Sequence, residues 1–263
     1  MRTFIALALF LFTTTVQAAY DHVFVVVLEN VGYEAVVGSP NAPYINNQLI
    51  PRGTLYTQSY GIVHPSLPNY LALFSGSTQG VKNNKCIDDP TAPNGPFSKP
   101  NLYSRLVNNG YSITGFMETL PYAGYTGCHY NAYAAKHNPF VYFSNVPGDA
   151  WVPYTKRNLW PNCAWIIPNL KHDMHDGVDL ADQVKRGDTW LSTEMPPILS
   201  YNAANNGLLI LTMDEGPREL NSNHLFTLLI GGNEGVGRRN GTVIDHYDVL
   251  RMITDNFGVA PLP

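Results

Sequence analysis

The chain has 263 residues, with 16 Lys+Arg against 20 Asp+Glu, a net charge of -4 and only 14% charged residues. The balance is mild and holds no Lys/Arg block, which excludes nucleic acid and electrostatic membrane docking. The length suits one large α/β domain with a full core, and no later segment reaches the ~20 apolar residues that cross a bilayer.

The first residues, Met1-Arg2-Thr3, precede an apolar run over 4–12, and Val16-Gln17-Ala18 follows. One positive charge, a short hydrophobic stretch and a small-residue end predict a signal peptide over 1–18. Cleavage after Ala18 leaves 19–263 as one soluble domain, secreted or periplasmic, with no stable membrane insertion. The run Val23-Phe24-Val25-Val26-Val27-Leu28 is β-branched and unbroken, so it reads as a central buried strand. It ends in Glu29-Asn30, at the strand edge where open α/β sheets bind ligands. A short helix is expected over 42–50 and a strand over 54–60.

His64-Pro65-Ser66-Leu67-Pro68-Asn69-Tyr70 is the most informative segment. Pro65 biases His64 towards extended backbone, and Pro68 suits a first helical turn. Ser66 therefore stands where a loop enters the apolar helix 69–74. Free backbone N–H groups and the positive helix end favour an anion there. Asn69, one turn on, is placed to donate to the same anion. A plain N-cap role for Ser66 is the alternative.

Residues 78–98 read as a surface loop, 101–108 as a helix and 111–117 as a strand. The aromatic-rich stretch 121–160 is expected as an irregular insertion near the mouth of the site. A short strand over 164–167 closes at Pro168-Asn169, and a helix over 188–205 is kinked or split by Pro196-Pro197. The second strong buried strand, 208–213, runs into Asp214-Glu215-Gly216, and a third covers 225–230. A helix over 246–257 closes the chain. This order predicts an α/β single domain, its central, mostly parallel sheet flanked by helices on both faces. Of the three cysteines, Cys86 and Cys128 lie in polar loops and are the favoured disulfide, leaving Cys163 unpaired.

Two strong strands thus end in acidic pairs, Glu29-Asn30 and Asp214-Glu215. Carboxylates gathered at one sheet edge repel each other unless a cation neutralises them. A third polar cluster, His172, Asp173, His175 and Asp176, follows the 164–167 strand and suits metal or phosphate.

In order along the chain, Leu28-Glu29-Asn30, the Ser66 segment, Phe116-Met117-Glu118, Lys136-His137-Asn138-Pro139-Phe140, Pro168-Asn169-Leu170-Lys171-His172-Asp173-Met174-His175 and Thr212-Met213-Asp214-Glu215-Gly216 resemble a known set. They are similar to the secreted phosphoesterases that include bacterial and fungal acid phosphatases and phosphatidylcholine-type phospholipases C, in the alkaline phosphatase-like superfamily. The resemblance implies that 19–263 is a phosphoesterase domain hydrolysing a small phosphorylated substrate. Ser66 then matches the nucleophile that becomes phosphorylated. Glu29, Asn30, Asp214 and Glu215 match residues around one divalent metal cation, with the Ser66 oxygen as a further ligand. Asn69, His137 and His175 match residues that contact the phosphoryl group. A second metal would draw on Asp173, His172, His175, His224 or His246.

The implied reaction is phosphomonoester hydrolysis through phosphoserine. Phospholipase C chemistry is the runner-up, because relatives with that activity are longer. The reading from another class is a carbohydrate- or surface-binding module built on Tyr122, Tyr125, Tyr130, Tyr133 and Tyr142.

Overall fold

Alternate side chains of the 23–28 run enter two different core layers, which is why the run is unbroken. Val23, Val25 and Val27 join one buried cluster, and Phe24, Val26 and Leu28 join the other. All six are fully buried, each contributing roughly 1.5–3 kcal/mol of transfer free energy. The computed structural model describes residues 19–89, 94–155, 160–217 and 223–263. The expected signal peptide lies outside these residues.

The strands are β1 (His22–Leu28), β2 (Thr54–Tyr60), β3 (Ile113–Met117), β4 (His129–Tyr130), β5 (Tyr133–Ala134), β6 (Trp151–Pro153), β7 (Cys163–Ile167), β8 (Gly207–Met213), β9 (His224–Gly231), β10 (Arg238–Asn240) and β11 (Ile244–Asp245). Nine of them form one sheet in the order β10-β2-β9-β8-β1-β7-β3-β6, with β11 also on β2. Every pairing is parallel except those of β9, which runs against β2 and β8. The mostly parallel α/β sheet expected from the sequence is therefore present. β4 and β5 form a separate hairpin.

The helices are α1 (Tyr33–Val36), α2 (Ser66–Ser75), α3 (Leu102–Val107), α4 (Leu180–Ala204) and α5 (His246–Asn256). Residues of α2, α3 and α5 pack in one core layer, and those of α1 and α4 in the other. Asn101 and Asp245 close capping boxes at the starts of α3 and α5.

Two helical expectations change. The 42–50 helix is a π-turn over Ile45–Leu49 followed by a 3-10 turn over Ile50–Arg52, because the Asp188 carboxylate captures the Tyr44 and Ile45 amides at 3.1 and 2.8 Å. α4 begins eight residues earlier than expected, where Asp179 caps it by accepting from the Asp182 amide. It also runs through Pro196 and Pro197 unsplit. Both prolines are exposed, as are Ser192 and Thr193, the residues whose carbonyls they leave without a helical donor.

Cys86 and Cys128 form the expected disulfide, while Cys163 is free and buried in β7. The stretch 121–160 is less irregular than expected, since it supplies the β4–β5 hairpin and the sheet-edge strand β6. Its tyrosines pack on one another edge to face: Tyr122 on Tyr125 at 5.4 Å, Tyr125 on Tyr133 at 5.9 Å.

Candidate active site

Parallel register brings the two acidic tips together. Leu28 pairs with Met213 at the ends of β1 and β8, so Glu29 and Asp214 leave the sheet side by side. The Asp214 amide donates to the Leu28 carbonyl at 3.0 Å, and the Asn30 amide donates to Asp214 Oδ1 at 3.3 Å. Asn30 adopts φ +53°, a left-handed turn that asparagine tolerates better than most residues. The Glu29 amide donates to the Asp173 carbonyl at 2.7 Å, which ties in the loop after β7. His246, the first residue of α5, donates from Nε2 to the Asp214 carbonyl and braces β8 from below.

Ser66 is the first residue of α2 and makes no cap to the helix, so the N-cap alternative fails. Its hydroxyl is buried and donates to Glu215 Oε1 at 3.0 Å. The other Glu215 oxygen is held by His64 Nδ1. Glu215 thus bridges the serine and His64, which is not among the candidate site residues expected from the sequence. Burial pushes the Glu215 carboxyl up, the His64 contact opposes this, and the Glu29 charge adds to it.

Asn69, expected to donate to the anion, is spent on the loop instead. Its Nδ2 donates to the Val63 and Pro65 carbonyls, and its Oδ1 accepts from the Ile62 and Val63 amides. The Leu67 amide at the helix start is also occupied, by Asn84 Oδ1 at 2.9 Å. His137 likewise does not reach the cleft. It lies buried behind Glu29, with Nε2 on Glu29 Oε1 and Nδ1 3.2 Å from Asp173 Oδ2, and Tyr70 stacks on its ring at 5.1 Å. Burial disfavours charge on both partners, but the contact dominates: Glu29 is held well below the usual carboxylate range and His137 above the usual imidazole range.

His175 does reach the cleft. Asp176 holds its Nδ1 at 2.8 Å, and Lys136 donates to its Nε2 at 3.1 Å. The remaining histidines disperse. His172 pairs with Glu118 at 2.9 Å, His224 sits between Glu34 and the Thr57 carbonyl, and His246 braces β8, so none of them joins Asp173 in a second cation site. The cleft encloses about 570 Å³, and Asn30, Ser66, Lys136, His175, Gln183 and Glu215 are among its lining residues. Lys136 is the sole lysine or arginine on that wall among the described residues, and also the sole contribution of the 121–160 stretch. Sequence adjacency to Ser66 and His137 was the available signal for His64 and Lys136.

The donor set suits a divalent cation. Both Glu29 oxygens, Asp214 Oδ2, Asp173 Oδ2 and His137 Nε2 are buried without an aligned hydrogen bond; Glu29 Oε1 and Asp173 Oδ2 meet the His137 ring as ion pairs. Burial pushes the Asp214 carboxyl well up, and the charges of Glu29 and Glu215 push it further. Unpartnered oxygen donors crowded by like charge fit a hard cation. The close group Cys86, Asp88 and Cys128 does not, because its sulfurs are joined to each other.

The family model described as Phosphoesterase family matches residues 39–260. The chain belongs to the Phosphoesterase family. It is 37% identical over 246 residues to a phosphatidylinositol-3-phosphatase of Mycobacterium tuberculosis, across 91% of this chain and 78% of that protein. It is 29% identical over 266 residues to an acid phosphatase of Aspergillus fumigatus, across 93% of this chain but 56% of the fungal protein. The chain therefore spans little more than half the length of that fungal relative. Among solved structures, a protein in the alkaline phosphatase superfamily from Vibrio parahaemolyticus superposes with a TM-score of 0.66 at 16% identity, over 94% of this chain and 69% of that one. As a family member the chain is a phosphoric ester hydrolase, which removes the binding-module reading.

Proposed function

We propose that the chain is an exported, cation-dependent phosphomonoesterase that works through a phosphoserine at position 66. The observation that carries this reading is the buried Ser66 hydroxyl donating to Glu215 beside the Glu29–Asp214 pair. A serine so placed has a proton acceptor at 3.0 Å and a cleft of about 570 Å³ in front of it.

Substrate phosphate enters the cleft between Ser66, Lys136 and His175. Glu215 takes the Ser66 proton as Oγ attacks phosphorus, and His64 keeps the carboxylate from rotating away. The bond from phosphorus to the leaving oxygen breaks, and the Lys136 ammonium, held in place by its 3.1 Å hydrogen bond to His175 Nε2 with that ring oriented by Asp176, supplies the proton that this oxygen needs. Lys136 meets the charge on the phosphoryl oxygens. Water then attacks phosphoserine, releasing phosphate and restoring Ser66. Glu29, Asn30 and Asp214, with Glu215 and the Ser66 oxygen beside them, would hold a divalent cation, whose charge lowers the cost of the serine alkoxide. Asn69 and His137 act behind this layer, Asn69 by fixing the 62–65 loop and His137 by fixing Glu29.

The disulfide between Cys86 and Cys128 supports an oxidising compartment, consistent with export. No helix among the described residues is long and apolar enough to cross a membrane. The acid phosphatase and phosphatidylinositol-3-phosphatase relatives support a phosphomonoester substrate over a phosphodiester. Ser66→Ala tests the reading: phosphate release from an aryl phosphate falls to background while the thermal transition stays in place. Turnover at the unmodified rate in that variant overturns it.

A further inference from the structure

The two banks of the cleft differ. Among the described residues, the bank carrying Asn30, Glu215, Gly216 and Pro217 holds no lysine or arginine. Asn84 and Lys136, on the opposite bank, also line a second cavity of about 310 Å³. The Cys86–Cys128 disulfide forms part of its wall, together with Lys85, Asp89 and His129. Asn84 and Lys136 line both spaces, so the two adjoin at these side chains.

The lining of the side cavity favours a negative group. Lys85 pairs loosely with Asp89 at 3.9 Å, which offsets one charge of each sign. Lys136 adds a further positive charge, and its ammonium stands 3.1 Å from His175, at the junction with the reacting centre. Asn84 has its carbonyl oxygen engaged by the Leu67 amide, so its NH2 group is what remains to offer a ligand. His129 adds a ring N–H. The disulfide joins the loop bearing Asn84 and Lys85 to the one bearing His129 and Lys136, so these donors sit on a covalently fixed wall.

We propose that this side cavity is a leaving-group subsite for a second phosphate, making bisphosphorylated alcohols the preferred substrates. The inference rests on the phosphatase reading of the main cleft and names the substrate class it serves. One phosphoryl group sits at Ser66, and the second, carried by the departing alcohol, lies between Lys136, Asn84 and His129.

The test compares kcat/KM for fructose 1,6-bisphosphate and fructose 6-phosphate, and separately for 3-phosphoglycerate and glycerol 3-phosphate. The expected result is a preference of about tenfold or more for the bisphosphate, the scale of one charged hydrogen-bonded contact. His129→Ala lowers that preference through KM and leaves fructose 6-phosphate turnover unchanged. Lys136→Gln lowers it further and weakens inhibition by inorganic phosphate, and Lys136→Arg restores part of both. Equal efficiency on the two fructose esters overturns the subsite and keeps the phosphatase. A preference that survives His129→Ala and Lys136→Gln together also overturns it. A gain as large for 3-phosphoglycerate assigns the cavity to carboxylates and overturns the second-phosphate claim. A protein that hydrolyses an aryl phosphate but none of the four esters overturns the subsite alone, and one that hydrolyses neither the aryl phosphate nor the four esters fails as a phosphatase, and the subsite falls with it.

Discussion

Glu29 and His137 meet in full burial at the end of the central strand, with 0% and 2% of their side chains exposed. The contact holds a carboxylate in place behind Ser66 without letting water reach it. His137→Gln leaves that carboxylate without its counter-charge, and the expected loss is about 3–5 kcal/mol of unfolding free energy. The pH dependence has a definite sign. The His137 contribution is complete below its ordinary value of 6.5 and is lost as pH rises through its raised folded value. The Glu29 contribution is complete above its ordinary value of 4.5 and is lost as pH falls through its depressed folded value. Denaturant titrations of chelator-treated protein should therefore show the widest gap between wild type and His137→Gln within pH 4.5–6.5. A gap that widens steadily towards alkaline pH contradicts the pairing.

Chelation should lower the thermal midpoint, because Asp214 and Glu29 then face each other with unpartnered oxygens. Returning a divalent cation at a hundred times its dissociation constant restores about 2.7 kcal/mol. Asp214→Asn removes one of the opposed charges. That variant is expected to melt higher than wild type in chelator and to show little further rise with added cation. Differential scanning calorimetry with and without chelator measures both.

Gly187 lets α4 approach the loop that carries His175. A β-carbon there would stand 2.4 Å from Met174 Cγ and 3.2 Å from the His172 carbonyl. Met174 is fully buried at φ +80°, so it has little room to yield. Alanine in a helix gains about 1 kcal/mol over glycine, but overpacking costs about 1–3 kcal/mol, and the second effect wins. Gly187→Ala should lower the melting temperature and reduce kcat by moving His175.

Asn69→Ala separates the inward role from direct phosphate contact. Four hydrogen bonds to residues 62–65 disappear, at a cost of about 1–3 kcal/mol where water replaces part of them. Loss of kcat together with a lower melting temperature supports the loop role. Weaker inhibition by inorganic phosphate at an unchanged melting temperature supports direct contact instead.

The sheet was legible because β1 and β8 are buried on both faces, which leaves unbroken apolar runs. Their acidic ends were legible for the same reason, since a run that stops at Glu29 or Asp214 marks the edge of the sheet. Side-chain direction was not. Asn69 stands one turn from Ser66 whether its amide faces the cleft or the loop, and only the positions of the Val63 and Pro65 carbonyls decide between the two. His137 was visible as a motif residue, but its burial depends on Tyr70 and Asp173, which are distant in the chain. The start of α4 was masked by exposed Val178 and Leu180 and by Gly187, which together blur the helical period, although Asp179 stood in place as a cap.

The most direct test is to quench the enzyme in denaturant at neutral pH during turnover of an aryl phosphate and locate the phosphoryl group by peptide mass spectrometry. One phosphoryl group is expected, on the peptide bearing Ser66, and none in Ser66→Ala. Full-rate turnover with unmodified Ser66 in the trapped enzyme, and with the phosphate on a histidine or on no residue, would contradict it.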